Sequence, residues 1–252
     1  MADAHLASFD KPRCSRTAAF VFTRHNGVFW FAFARKVAAG QRQRGGPISG
    51  AAGTQEQYWG RWSSFGGTKN QADASDLLMA YEELEDEGDL PSSIQNKLRL
   101  KHATMVQQHS SCTSVFIFEF PDSQEFFHYF PQYPHARANG SIVKRSKGEI
   151  DAVASFTMQM ISERSDRFVS YVVKSIQSVL IPEICKISKA FNDKWGKAAD
   201  FRIVQGPRQP EHAFYRYWEM CHGPETIDGK CAYENMYYTT DWPTKFPMRS
   251  HK

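Results

Sequence analysis

The sequence predicts an α/β fold of the α+β kind, and three observations lead there. Two aromatic and β-branched runs meet across Asn26-Gly27 and read as a hairpin. A carboxylate-rich stretch with a 3.6-residue apolar rhythm reads as a helix, and further strand-like and helical segments follow it. With 252 residues, 41% of them hydrophobic, the chain can bury a full core as one domain with an extension. Shifts of pattern divide it into an N-terminal tail (1–14), a main domain (15–198) and an aromatic-rich C-terminal extension (199–252) packed on that domain.

The first strand is Arg16-Thr17-Ala18-Ala19-Phe20-Val21-Phe22 and the second Val28-Phe29-Trp30-Phe31-Ala32-Phe33-Ala34-Arg35. An insertion at 38–57, rich in Gly, Gln and Arg and without apolar pattern, reads as a loop; it carries Arg42 and Arg44, which can reach an anionic substrate. The glycine turn Phe65-Gly66-Gly67-Thr68 then leads toward the helix. Leu77, Ala80, Tyr81 and Leu84 form its buried stripe. Asp73 or Ser75 caps its start, while Gly88, Asp89 and Pro91 suit its end.

Five acidic residues crowd positions 82–87 and repel one another, so a hard cation is the natural compensation. Glu83, Asp86 and Glu87 stand at i, i+3 and i+4, where their oxygens converge and can hold Mg²⁺ or Mn²⁺ with waters and phosphate oxygens. The competing reading is a solvated acidic face. Beyond the helix, Ser114 to Phe120 is another strand, and in Gly148 to Val153, followed by Ser155-Phe156, Glu149 stands before a strand or turn. Phe168, Tyr171, Val172, Ile176, Val179 and Leu180 mark a covering helix, which Pro182 is expected to interrupt before a second piece through Ile187 and Phe191.

No apolar run reaches membrane-spanning length, and residues 1–14 lack the apolar core of a signal peptide, so a cytoplasmic or nuclear setting is the default. Cys14, Cys112, Cys185, Cys221 and Cys231 are odd in number and lack Cys-x-x-Cys spacing, which predicts free thiols; Cys221-His222 with Cys231 is a weaker zinc reading. The net charge of +4 permits a nucleic-acid partner without demanding one. Phe214, Tyr215, Tyr217, Trp218, Tyr233, Tyr237, Tyr238 and Trp242 pack on the domain or offer a stacking surface for RNA, with Arg202, Arg208, Arg216 and Lys230 for phosphates. No Lys-Ser/Thr follows the glycines to make a P-loop, and no Gly-x-Gly-x-x-Gly marks a dinucleotide fold.

The stretch from Gly67 to Leu90 resembles the Nudix hydrolase signature: a glycine, five residues, a glutamate, seven residues, then Arg-Glu-aliphatic-x-Glu-Glu-x-Gly-aliphatic. Gly67 matches the opening glycine, Glu83-Leu84-Glu85-Asp86-Glu87 the metal-binding core and Leu90 the closing aliphatic. Asp73 replaces the first glutamate, the following spacing is one residue longer, Glu82 takes the arginine's place and Asp89 stands for the second glycine. An ungapped register keeps Gly88 as that glycine and selects Glu82, Glu85 and Asp86; the register that buries Leu84 is preferred. The hairpin ending in a basic residue and the aromatic run Tyr58 to Phe65 resemble the family's approach to this box.

The resemblance implies a Nudix-like α/β/α sandwich with a mixed sheet. It also implies a pyrophosphohydrolase acting on a nucleoside diphosphate-linked substrate, a nucleotide or the 5′ cap of RNA. Mg²⁺ or Mn²⁺ would bind Glu83, Asp86, Glu87 and the Gly66 carbonyl, with Glu83 in the catalytic set and Glu87 or Glu149 as base. Arg35, Arg42, Arg44, Lys69, Lys144, Arg145 and Lys147 are the basic residues assigned to substrate phosphates. The alternative is a degenerate domain that binds nucleotide or RNA without hydrolysis.

Overall fold

The structure, a computed structural model, describes residues 9, 14–36, 60–68, 75–108, 111–138, 146 and 149–195, with the backbone of 226–227 and 230–231. Strands β1 (Arg16–His25) and β2 (Val28–Lys36) form the expected hairpin, in register from Val21 opposite Ala32 to His25 opposite Val28. Asn26 and Gly27 both take positive φ, +50° and +77°, the turn geometry whose twist matches the flanking strands. β3 (Trp62–Ser63) pairs with the end of β2, and β4 (Arg99–Gln108) is antiparallel to β5 (Ser111–Glu119). β5 runs parallel to β1, which makes the sheet mixed, and β6 (Ile150–Thr157) adds antiparallel to β2. The order is β3-β2-β1-β5-β4, with β6 branching from β2.

Both faces of the sheet are covered, which explains why its central strands are continuously apolar. On one face Phe20, Phe22, Phe29, Phe31, Phe33, Ile117 and Phe156 pack with Val169, Val172, Ile176, Leu180 and Ile184 of the C-terminal helices. On the other, Ala19, Val21, Ala32, Ala34, Phe116 and Phe118 pack with Ala80, Leu84 and Leu90 of the acidic helix region and with Phe126 and Phe130. That acidic helix is α1 (Asp76–Asp86), followed by the short α2 (Ser92–Gln95); Phe126 lies in α3 (Ser123–Tyr129). β4 and α3 carry weak sequence signals. β4 is an edge strand in which Ala103 is buried and polar residues alternate outward, so its apolar face is thin.

Pro182 does not interrupt the covering helix. After α4 (Met158–Glu163) and a 3₁₀ turn at Ser165–Arg167, α5 (Ser170–Ser175) passes through a π-helical turn (Ile176–Leu180) directly into α6 (Ile181–Ile187). The wide turn, closed by the Ile181 N–H on the Ile176 carbonyl, places Pro182 in the first turn of α6, where its missing N–H is tolerated. The break falls at Ser188, which is extended and whose Oγ accepts from Phe191 N–H at 3.3 Å to start α7 (Lys189–Trp195).

Cys14 and Cys112 are joined in a disulfide, correcting the expectation of free thiols. The parallel pairing sets Arg16 opposite Thr113, so cysteines just before these positions meet although 98 residues separate them; no local spacing could signal it. Cys185 is free. In the C-terminal extension β7 (Thr226–Ile227) pairs with β8 (Lys230–Cys231), and the aromatic and basic side chains assigned to that extension lie outside the described residues. Among the described residues no helix is long and apolar enough to cross a membrane.

Candidate active site

Ser75 is the cap of α1, accepting from Leu78 N–H at 3.0 Å, while Asp73 lies outside the described residues. Buried Asp76 in the first turn accepts from Cys14 N–H at 3.2 Å and from the Ser114 hydroxyl, tying the helix start to β5 and to the chain entering β1. Ala80 and Leu84 are buried and Leu77 and Tyr81 packed beside them, the stripe the sequence predicts, with Met79 also buried. The helix ends in a left-handed cap at Asp89, φ +51°, with Leu90 N–H on the Leu84 carbonyl at 3.1 Å. The residue that needs glycine-like geometry is therefore Asp89, where the preferred register puts the second glycine of the box. Arg137 secures this end, donating to Asp89 Oδ2 at 2.8 Å, the Gly88 carbonyl at 3.0 Å and the Tyr129 carbonyl at 2.8 Å.

The glycine turn is held inside the sheet. β1 and β2 cease to pair beyond Val21 and Ala32, and residues 62–68 occupy the gap. Ala19 N–H donates to the Phe65 carbonyl at 2.6 Å and Thr17 N–H to the Gly67 carbonyl at 3.0 Å. Gly66 N–H then donates to Glu87 Oε2 at 2.8 Å, and Lys36 Nζ stands 2.5 Å from Glu87 Oε1. A Cβ on Gly67 would lie 2.3 Å from Glu83 Oε1, so glycine admits this carboxylate. Glu83 and Glu87 thus meet at the Gly66-Gly67 turn and the end of β2.

Burial, then the Glu87 charge, pushes the Glu83 carboxyl up to about 8; Lys36 opposes the shift, and Asp86 and Glu149 add to it. Burial raises Glu87 too, against the pull of the Lys36 ammonium and the Gly66 N–H. Burial disfavours the charged form of Lys36, but Glu87, Tyr171 and Glu149 outweigh it and raise its pKa. Burial thus works against ionisation of both carboxyls, while the Lys36 ammonium and the Gly66 N–H favour the charged form of Glu87. Glu149 is exposed, directly precedes β6 and acts electrostatically on Glu83, Glu87 and Lys36. In the ungapped register's set, Glu82 is exposed and Glu85 accepts from Ser92 Oγ at 3.4 Å.

Arg35 is corrected. It is fully buried, its Nε 3.0 Å from Asp151 Oδ1 and its guanidinium over the Trp62 ring, so it belongs to the core and not to a phosphate site. Strand alternation is the reason: Phe29, Phe31, Phe33 and Arg35 face the C-terminal helices, whereas Ala32, Ala34 and Lys36 face α1. Asp151 is the extra residue where the β2–β6 register shifts between Arg35 and Lys36. Lys36, Asp151 and Arg137 are the residues that sequence reasoning missed; the basic end of the second strand pointed to this corner but not to the right member of the pair. Gly66 acts on the site through its N–H. Arg42, Arg44, Lys69, Lys144, Arg145 and Lys147 lie outside the described residues.

A mixed sheet between two helical layers, an opening hairpin, a glycine turn leading to an acidic helix, an acidic residue before β6 and a closing helix are now in place. The fold is Nudix-like in the order and layering of its elements. No protein-family model and no curated protein matches the chain. Among solved structures it is similar to the NUDIX domain of Shewanella oneidensis NrtR complexed with ADP ribose, at 12% identity and a TM-score of 0.38 over 74% of this chain and 98% of that one. A mutT/nudix family protein from Listeria innocua follows at 14% identity and a TM-score of 0.35, covering 59% and 80%. The C. elegans Ap4A hydrolase stands at 8% and 0.29, covering 44% and 70%.

Among the described residues no group of three His, Cys, Asp or Glu side chains has closed to metal-ligating geometry. The residues nevertheless fit a hard cation. Buried Glu87 and half-buried Glu83 are brought to the same glycine turn, Gly67 leaves room for Glu83, and the Lys36 ammonium already stands on Glu87 as a cation would.

Proposed function

We propose that the chain is a metal-dependent, Nudix-type pyrophosphohydrolase cleaving a diphosphate linkage in a nucleoside diphosphate joined to another moiety. The supporting observation is the meeting of Glu83 and Glu87 at the Gly66-Gly67 turn, with Glu149 electrostatically coupled to both. Glu83, Asp86 and Glu87 are the proposed ligands of Mg²⁺ or Mn²⁺, in the register that leaves Leu84 buried. A divalent ion bound there supplies neutralisation of phosphate charge and acidification of a water. Gly66 N–H and Lys36 hold both oxygens of Glu87, leaving its remaining lone pairs aimed from a fixed position. Exposed Glu149 is the proposed proton acceptor, Glu87 the other candidate. The finer reading of the substrate is a capped RNA or a large nucleotide, with Arg42, Arg44, Lys69, Lys144, Arg145 and Lys147 on its phosphates.

The test is nucleotide or phosphate release from capped RNA, nucleotide sugars, dinucleoside polyphosphates and nucleoside triphosphates, with Mg²⁺ or Mn²⁺, beside Glu87→Gln. Metal-dependent turnover that falls roughly 100-fold or more in the variant is expected. A second reading, a domain that binds nucleotide or RNA without hydrolysis, has one observation in its favour: both Glu87 oxygens already have partners. Binding of one of these compounds with no turnover selects it.

A further inference from the structure

We infer that Lys36 is the resident counter-cation of the acidic site and competes with a divalent ion for Glu87. The inference rests on reading Glu83, Asp86 and Glu87 as the cation-binding set. The Lys36 ammonium, 2.5 Å from Glu87 Oε1, is delivered by a fixed strand end: Lys36 N–H donates to the Arg61 carbonyl and Gly60 N–H to the Lys36 carbonyl, each at 2.9 Å. The second Glu87 oxygen is held by Gly66 N–H. Strand alternation keeps the lysine on the α1 face, while Arg35 is turned into the opposite core.

Lysine presents a compact, strongly hydrated point charge, the chemistry closest to a hard metal ion among the side chains. It keeps Glu87 compensated and in place when no metal is bound. A divalent ion approaching Glu83, Asp86 and Glu87 therefore meets a carboxylate that already carries a cation, and the two positive charges repel. Lys36 sets how tightly the site holds metal. Removing its charge should tighten binding and leave the metal-free protein less stable, because a buried carboxylate loses its partner.

The measurement is Mn²⁺ titration of the full chain, following free Mn²⁺ by electron paramagnetic resonance, with melting curves in EDTA and in Mn²⁺. Lys36→Met and Lys36→Gln should each bind Mn²⁺ at least about tenfold tighter than the parent, as removal of one unit charge beside a divalent ion demands even under strong screening. Lys36→Arg should bind within about threefold of the parent. In EDTA the neutral variants should melt lower, and Mn²⁺ should raise their Tm by more than it raises that of the parent. Lys36→Gln retains a donor for Glu87 and serves should Lys36→Met not fold. Neutral variants that bind Mn²⁺ no tighter than a parent that does bind it overturn the counter-cation alone, as does tightening in Lys36→Arg equal to that in Lys36→Met. Binding in the neutral variants but not in the parent upholds the counter-cation and removes metal-dependent hydrolysis by the native chain. No Mn²⁺ binding in any form overturns both.

Discussion

A Cβ on Gly67 would stand 2.3 Å from Glu83 Oε1, and one on Gly66 would stand 2.2 Å from the Thr17 carbonyl oxygen, so the two glycines are needed for different reasons. Gly67→Ala meets the end of a flexible side chain; it should displace Glu83 and weaken Mn²⁺ binding about tenfold while stability stays within about 1 kcal/mol. Gly66→Ala meets backbone and should cost about 1–3 kcal/mol or more in urea unfolding. Glu83 also makes stability depend on pH. Its carboxyl titrates near 4.5 when unfolded and about 8 when folded, so between these values the folded protein holds the extra proton. Stability of the metal-free protein should therefore fall as pH rises from about 4.5 to 8, and Glu83→Gln should flatten that slope in denaturation curves taken across the window. The carboxylate cluster was legible in the sequence because it is local; the raised pKa of the Glu83 carboxyl was not, since it depends on burial, on Glu87 and on Lys36 from another strand.

At the scale of elements, α1 shows how capping and packing agree. Ser75, the apolar stripe and the Leu84–Leu90 cap all lie within one stretch of sequence, which is why the helix could be read before the structure. The residue that turns the chain after its C-terminus is less ordinary. Asp89 holds a left-handed conformation costing roughly 1 kcal/mol, offset by its ion pair with Arg137. Asp89→Gly loses the pair but relieves the backbone and should stay within about 1 kcal/mol of the parent, whereas Asp89→Ala should lose about 1–3 kcal/mol by chemical denaturation. The covering helix shows the reverse case: proline is read locally as a breaker, yet the π-helical turn before Pro182 lets the helix continue and moves the break to Ser188. Which turn precedes a proline is set by the packing of Ile176, Val179 and Leu180 on the sheet, not by the proline.

For the whole molecule, the sheet's aromatic face carries much of the stability. Phe33 meets Phe20, Phe156 and Phe168 at centroid distances of 6.3, 5.9 and 5.0 Å. Phe33→Ala should destabilise by about 3–5 kcal/mol, against no more than about 0.5 kcal/mol for Leu78→Ala, whose residue is 53% exposed. The sequence by itself determined what near neighbours decide: the Asn26-Gly27 hairpin, the acidic helix with its buried stripe, and a strand over 114–120 that the structure extends back to Ser111. Only the tertiary structure decided which cation meets Glu87, which cysteines join and what clamps Asp89, contacts that span 51, 98 and 48 residues. The physical reason is that period-two alternation tells which residues of a strand share a face but not what covers that face. Nothing local told Arg35, the residue assigned to phosphates, from its neighbour Lys36; with α1 laid on one side of β2, the first is core and the second part of the site.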